Sequence, residues 1–366
     1  MKNKTLFFVA GERSGDLHAG NLIKSLLRKE EGLTLIGWGG DYMKEAGMNL
    51  LRHYREIAFM GIWEVIKNLR KARKFLEECK EEILQNKPDA VVLVDYGGFN
   101  LKIAKFCKEN NIPVKYYISP KVWAWNTKRA YKIKEVVEDL YCIMPFEPEF
   151  FKKYDFKTTY VGNPVLDEVK KFKSGEENTI KSELDIVAIL PGSRKQEVVQ
   201  MLDLMVEISK SFSEYKFIVT AVDNLDDELY DIARNNGIDV LYNETYKVLN
   251  SASVALVTSG TATLETALFN VPQAICYKTS KLTYRFGKMV LKIPYISLVN
   301  LIADKEVVKE LIQDDFNSER IKQELTLLLK DIEYRKKIQN GYNEVSNLLG
   351  DKSASENTAD LILNSI

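Results

Sequence analysis

The sequence predicts an α/β protein built of two Rossmann-like domains facing one another across a cleft. Three observations carry that reading. β-Branched apolar runs alternate with helical patterns almost from end to end, glycine turns stand where several runs pass into helices, and a polar segment divides the chain into two such series. A length of 366 residues fits two domains, each long enough to bury its own core.

The first domain, residues 1–168, opens with an apolar run at 6–10 and a helical pattern through Leu17, Leu22, Ile23, Leu26 and Leu27. Further strands are expected at 33–37, 90–95, 114–118, 140–144 and 159–161. Residues 169–183 are charged, carry Ser-Gly in their middle, and read as the linker. The second domain, residues 184–345, has strands expected at 186–190, 216–221, 238–242, 254–257 and 273–277, and after Lys305 the pattern is helical. The terminal segment, 346–366, is amphipathic from Ala354 onward, suited to dock on a neighbouring surface and thus a route to an oligomer.

Composition excludes several classes. The chain is 45% hydrophobic and 28% charged, with no run near the ~18 apolar residues of a membrane span. Lys+Arg and Asp+Glu both number 52, so no global positive field draws in nucleic acid, and none is expected as a partner. The apolar run beginning at Thr5 is too short for a signal-peptide core and enters a glycine turn directly, which predicts a cytoplasmic chain. Cys79, Cys107, Cys142 and Cys276 lie far apart, without the spacing of a zinc site or a disulfide framework.

Sheets of this kind bind ligands beyond the carboxyl ends of their strands, so the chemistry belongs in those loops. After the first strand, Gly11-Glu12-Arg13-Ser14-Gly15-Asp16 packs Glu12, Ser14, Gly15 and Asp16 into one turn, a candidate substrate pocket. The alternative is a tight turn with Asp16 as a helix cap. Asp95 ends the run 90–94, where partial desolvation raises the basicity of a carboxylate, and it is the general-base candidate; the alternative is again a cap. In the second half, Gly192, Ser193 and Arg194 offer backbone N–H groups, a hydroxyl and a forked cation to a diphosphate, against a merely solvated arginine. Ser259, Gly260 and Thr261 repeat the pattern. Glu265, one turn on, can accept from two vicinal ribose hydroxyls, against a reading as a plain capping box. Two anion-binding turns in one domain point to a nucleotide diphosphate.

The segment 61–76 has a helical core stripe of Ile62, Val65, Ile66, Leu69, Ala72 and Leu76. Trp63 falls off that stripe among Lys67, Arg70, Lys71 and Lys74, as in a helix lying on an anionic membrane surface; the alternative is a solvated basic face. His18 and His53 are the only histidines, and no G-x-S-x-G, H-E-x-x-H or G-x-x-x-x-G-K-[ST] motif is present, which disfavours serine hydrolases, zinc peptidases and P-loop kinases.

Taken together, GERSGD at Gly11, MGIWEV at Met60, YYISPKVWAWNTKRAYKI from Tyr116, PFEPEFF from Pro145, VGNPVLD from Val161, LPGSRKQEV from Leu190, SGTATLE from Ser259 and SLVNLIADKEVVKELIQ from Ser297 closely resemble the lipid-A-disaccharide synthase family. These are inverting glycosyltransferases of the GT-B fold. The resemblance implies transfer of 2,3-diacylglucosamine from UDP-2,3-diacylglucosamine to 2,3-diacylglucosamine 1-phosphate. The products are a β-1,6-linked disaccharide 1-phosphate and UDP, formed on the inner face of the cytoplasmic membrane of Gram-negative bacteria, with no metal or cofactor. It also implies that Asn300, Glu310 and Gln313 belong to the nucleotide and sugar pocket. Three departures are visible. Gly162-Asn163-Pro164 stands for the usual G-H-P, Leu298-Val299-Asn300 for L-P-N, and Asp95-Tyr96-Gly97 for D-x-P. The first leaves no histidine to act at that turn. A UDP-sugar epimerase or hydrolase on the same scaffold, and a two-lobed binding protein, are the competing readings.

Overall fold

The computed structural model describes residues 4–56, 69–175 and 178–366. The chain divides into two compact units, one of Met1–Pro164 with Asp351–Ile366 and one of Val165–Gly350.

The first unit holds a seven-stranded sheet, β1 (Thr5–Ala10), β2 (Thr34–Gly39), β3 (Asn49–His53), β4 (Ala90–Val94), β5 (Val114–Tyr117), β6 (Asp139–Cys142) and β7 (Thr159–Tyr160), in the order β3-β2-β1-β4-β5-β6-β7. Neighbouring strands are parallel throughout. Both faces are covered, so β4 is apolar at every position and β1 at every position after Thr5, as parallel sheets require. Phe7 and Val9 of β1 pack to one side with Trp38, Val91, Leu93 and Tyr116. Leu6, Phe8 and Ala10 pack to the other with Val92, Val94 and the helix Arg13–Lys29. The helix Leu69–Asn86 closes the first side through buried Phe75, Cys79 and Ile83. Of the stripe read over 61–76, Ala72 and Leu76 are half-buried beside the buried Phe75, and Ile62, Val65 and Ile66 lie outside the described residues.

The second unit repeats the plan with β8 (Ile186–Leu190), β9 (Lys216–Ala221), β10 (Asp239–Tyr242), β11 (Ala252–Thr258), β12 (Gln273–Tyr277) and β13 (Glu310–Ile312), ordered β10-β9-β8-β11-β12-β13. In both sheets the order reverses beside the first strand of the unit. The crevice of a doubly wound fold therefore opens where β1 adjoins β4 in one unit and where β8 adjoins β11 in the other.

Two strands escape the sequence reading, and both are edges. β3 is partly exposed and has too few apolar positions to show a period. β13 has three residues and lies where a helical pattern was expected after Lys305, a correction that sheet pairing with β12 explains and local periodicity could not. Part of the expected linker is also structured. The helix Pro164–Lys173 runs into it, with Phe172 seated edge-on to Tyr246 and Phe269.

The C-terminal helix, Ala354–Ser365, lies on the helix Arg13–Lys29 of the first unit. It buries Ala354, Thr358, Ala359 and Ile362, and Glu356 pairs with Arg28 and with Lys29 at 3.1 Å. The neighbouring surface on which this apolar face docks is that of its own first unit.

Candidate active site

In the first unit, Ala10 of β1 and Val94 of β4 are in register, so the turns that follow begin level with each other at the crevice. Asp95 and Tyr96 both adopt left-handed backbone, with φ of 47° and 49°, a conformation that costs a non-glycine residue about 1 kcal/mol or more. Three contacts hold it there. Asp95 N–H donates to the Tyr117 carbonyl at 3.1 Å, and its carbonyl accepts from the buried Tyr116 hydroxyl at 2.6 Å and from Asn100 Nδ2 at 2.9 Å. The Tyr96 ring lies against Gly11, where any Cβ would sit 2.3 Å from a ring carbon. The helix Gly97–Glu109 begins after Tyr96, whose own side chain makes no cap. Burial raises the Asp95 carboxyl above its ordinary range, and the nearby Glu12 charge raises it further, against smaller opposing effects of Lys121 and of a hydrogen bond from the Tyr96 backbone.

Asp16 behaves differently. Its buried carboxylate accepts from the backbone N–H of Gly40 at 2.8 Å, Met43 at 3.1 Å and Tyr42 at 3.2 Å. It therefore secures the turn after β2, while Glu12 and Ser14 of the same motif are exposed and Gly15 is buried. Glu147, not singled out from the sequence, is the other organising carboxylate. It is 1% exposed and accepts from Trp123 Nε1 at 3.0 Å and from the N–H groups of Met144 at 2.9 Å and Ile143 at 3.1 Å. Burial dominates, and its pKa rises to about 7. The sequence signal was available: a carboxylate shortly after a predicted strand, downstream of a tryptophan that needs an acceptor when buried. Asn163, at the departure from G-H-P, is buried and donates to the Ile143 carbonyl at 2.9 Å.

In the second unit the turn after β8 is occupied by the chain itself. Gly192 takes φ +108°, and a Cβ there would meet Glu197 Oε2 at 2.5 Å. That carboxylate accepts from Ser193 N–H at 3.1 Å and Arg194 N–H at 3.2 Å, while its other oxygen pairs with Arg194 Nη1 at 2.9 Å. An anion already sits on the donors proposed for a diphosphate, and Arg194 is otherwise largely exposed. After β11, Gly260 and Thr261 are exposed at the start of the helix Thr261–Leu268, and Ser259 Oγ donates to the Ile296 carbonyl at 2.9 Å. Glu265 is no capping box, because its carboxylate accepts from the Tyr246 hydroxyl at 2.9 Å. Its pKa is raised by burial first and by Glu168 in addition.

The three residues carried over by resemblance have structural bonds of their own. Asn300 is buried. Its amide donates to the Val308 carbonyl and to Glu310, and its oxygen accepts from the N–H of Val307 and of Val308. Glu310 also accepts from Ser297 N–H at 2.9 Å and Ser297 Oγ at 2.8 Å. Gln313 clasps Thr279 in both directions at 3.0 Å. These side chains fasten the connection between β12 and β13, which meets the turn after β11 where Ser259 Oγ donates to the Ile296 carbonyl. Of the basic helix read on either side of Trp63, Arg70, Lys71 and Lys74 are exposed, with Lys74 near Glu78 at 3.6 Å; Trp63 and Lys67 lie outside the described residues.

Paired parallel sheets in this order, with glycine turns at each switch point, define a two-domain fold of the GT-B kind. Solved structures with this backbone include a UDP-GlcNAc 2-epimerase from Neisseria meningitidis bound to UDP-GlcNAc, with a TM-score of 0.69, 13% identity and 99% of each chain covered. A glycotransferase of kitacinnamycin aligns with a TM-score of 0.67 at 14% identity, over 100% of this chain and 99% of that one. At such identities the likeness establishes the fold. The sequence goes further: the model of the lipid-A-disaccharide synthetase family matches residues 6–363, and the chain belongs to that family. The lipid-A-disaccharide synthase of Syntrophus aciditrophicus is 36% identical over 375 residues, covering 99% of this chain and 98% of its own. That of Coxiella burnetii (strain CbuG_Q212) is 35% identical over the whole of both chains. Membership makes the protein a glycosyltransferase of lipid A synthesis. Among the described residues no helix is long and apolar enough to cross a membrane.

Proposed function

We propose that the second unit binds the UDP of UDP-2,3-diacylglucosamine and that Asp95 of the first unit is the base that activates 2,3-diacylglucosamine 1-phosphate. The observation that supports this best is the Asp95 turn, where strained backbone, held from beneath by Tyr116 and Asn100, presents a carboxylate of raised pKa beside Glu12. A stabilising contact that only fixes a loop needs neither the strain nor the basicity.

In the reaction, Asp95 takes the proton of the acceptor 6-hydroxyl as its oxygen attacks the anomeric carbon. The bond to the diphosphate breaks on the opposite face, and the electron pair leaves with UDP. A single displacement inverts the centre to give the β-1,6 linkage. Charge developing on the diphosphate is met by the Ser193 and Arg194 N–H groups, by the Arg194 guanidinium and by the donors of Ser259, Gly260 and Thr261. Glu197 yields these donors as the diphosphate arrives, since two anions cannot share them. Glu265 accepts from the ribose. Asn300, Glu310 and Gln313 act as positioning residues for the connection between β12 and β13, as Asp16 does for the first unit. A lipid-linked substrate further implies work at the inner face of the cytoplasmic membrane, with the Trp63 helix as one contact to anionic headgroups.

Incubating the protein with the UDP-diacyl sugar, with and without the acceptor phosphate, tests the reading. UDP release should require both substrates. Release from the donor alone would make the protein a hydrolase, and an exchange of sugar epimers would make it an epimerase.

A further inference from the structure

The helix Lys281–Val290 follows β12 and, over its ten residues, buries none. Leu282, Phe286 and Met289 are 80%, 68% and 85% exposed, the three most exposed large apolar side chains among the described residues. At about 100° per residue they fall on one side, and Lys281, Arg285 and Lys288 fall on the adjoining side. From Lys278 to Lys292 the chain carries five cations and no acid. The helix is a formed element, since the Ser280 side chain caps it by accepting from Thr283 N–H at 3.2 Å. Its basic side lines a cavity of about 600 Å³ together with Gln313 and Asp314.

A soluble fold seldom leaves three such side chains in water side by side without a use for them. The charges around them indicate the use. A second copy docking through the same face would bring like charges together, whereas an anionic bilayer offers phosphates to the cations and an acyl boundary to the apolar side. We propose that this helix is an interfacial anchor that seats the second unit on an anionic membrane, with Leu282, Phe286 and Met289 entering at headgroup depth. β12 ends at the same carboxyl edge as the nucleotide turns after β8 and β11, so the anchor brings that edge toward the lipid. The inference deepens the function proposed above, because a lipid-linked donor must be reached from the bilayer, and its test does not depend on turnover.

The full-length protein is co-sedimented with vesicles of phosphatidylcholine alone and with about one third phosphatidylglycerol. The parent should bind the anionic vesicles, less so as salt rises from about 0.05 to about 0.5 M. L282S/F286S/M289S should bind them about tenfold less or worse while still binding UDP, and K281E/K288E should lose the preference for anionic lipid. Equal partition of parent and L282S/F286S/M289S overturns the proposal and leaves the contact to the basic helix around Trp63. So does absence of vesicle binding by the parent. A changed oligomeric state with unchanged partition also overturns it, in favour of a second copy as the occupant. UDP affinity is measured on the same samples, so a parent that fails to bind UDP counts against the nucleotide site without touching the vesicle comparison.

Discussion

At the level of single residues, the chemistry proposed for the first unit rests on two carboxylates of neighbouring turns, Asp95 and Glu12. The base must be ionised, so activity should rise with pH through the Asp95 pKa, which burial and then Glu12 hold above the usual aspartate range. Glu12→Gln removes one of the two causes. The acid limb of kcat/KM should therefore move to lower pH, and an unmoved limb would separate Glu12 from the base. Asp95→Asn keeps the shape and removes the proton acceptor, so turnover should fall about 100-fold or more with UDP affinity unchanged. A near-parental rate in that variant assigns the base elsewhere. In the second unit, Arg194→Ala loses a charge-assisted contact of about 1.5 to 3 kcal/mol, so calorimetry should show UDP binding weaker by roughly ten- to a hundredfold. Glu265→Ala should also weaken it. If both variants bind UDP as the parent does, the nucleotide lies elsewhere. Asp95, Arg194 and Glu265 could be singled out as candidates because each stands at a fixed offset from a strand end. What occupies Arg194 was not: Glu197 reaches its donors through a side-chain rotamer, which no spacing specifies.

At the level of elements, the turns are held by contacts between strands distant in sequence. Gly11 after β1 leaves room for Tyr96 after β4, so Gly11→Ala should push Tyr96 and with it Asp95. The expected outcome is a loss of turnover with UDP affinity retained; full activity would mean that the turn does not need this packing. Glu147 joins the loop after β6 to Trp123, and its pH behaviour has a definite sign. Its pKa is about 7 when folded, above the value near 4.5 of an unperturbed glutamate, so the folded state binds the proton more tightly. Its contribution is complete at low pH and declines as pH rises through about 7, by up to about 3 kcal/mol. All four tryptophans precede residue 126, so fluorescence reports the first unit. Urea denaturation followed by tryptophan emission should show parental stability falling from pH 5 to pH 8, and Glu147→Gln should flatten that fall. A parallel pH dependence in both proteins would remove Glu147 as its source. The alternation of strand and helix was legible because burial on both faces of a parallel sheet makes long apolar runs. β3 and β13 were not, because an edge strand is defined by its partner's hydrogen bonds more than by its own residues.

At the scale of the whole molecule, the chain returns to its first unit. The C-terminal helix fills a groove over the helix Arg13–Lys29, with Lys29 paired to Asp360 at 2.8 Å and to Glu356 at 3.1 Å. Ending the chain at Gly350 uncovers Leu22, Ile23 and Leu26, which share the core of that face with Ala354, Ala359 and Ile362. The truncated protein should therefore lose stability in the first unit by several kcal/mol, seen as an earlier tryptophan-detected transition, while calorimetry still finds UDP bound to the second. An unchanged transition would show that the helix is dispensable to the fold.

The sequence by itself determined that two parallel α/β series exist, where glycine turns follow their strands, and which family the motifs resemble, because apolar period and turn chemistry act over a few residues. Tertiary structure decided the rest. Asp16, Asn300, Glu310 and Gln313 carry the polar types of a binding pocket, yet each is engaged by backbone or side chains from other loops, and only the folded chain brings those donors within 3.3 Å. The apolar period of residues 354–366 shows that this segment must be covered but not by what, because the surface that covers it lies more than 300 residues earlier and is brought there only by the packing of the first unit.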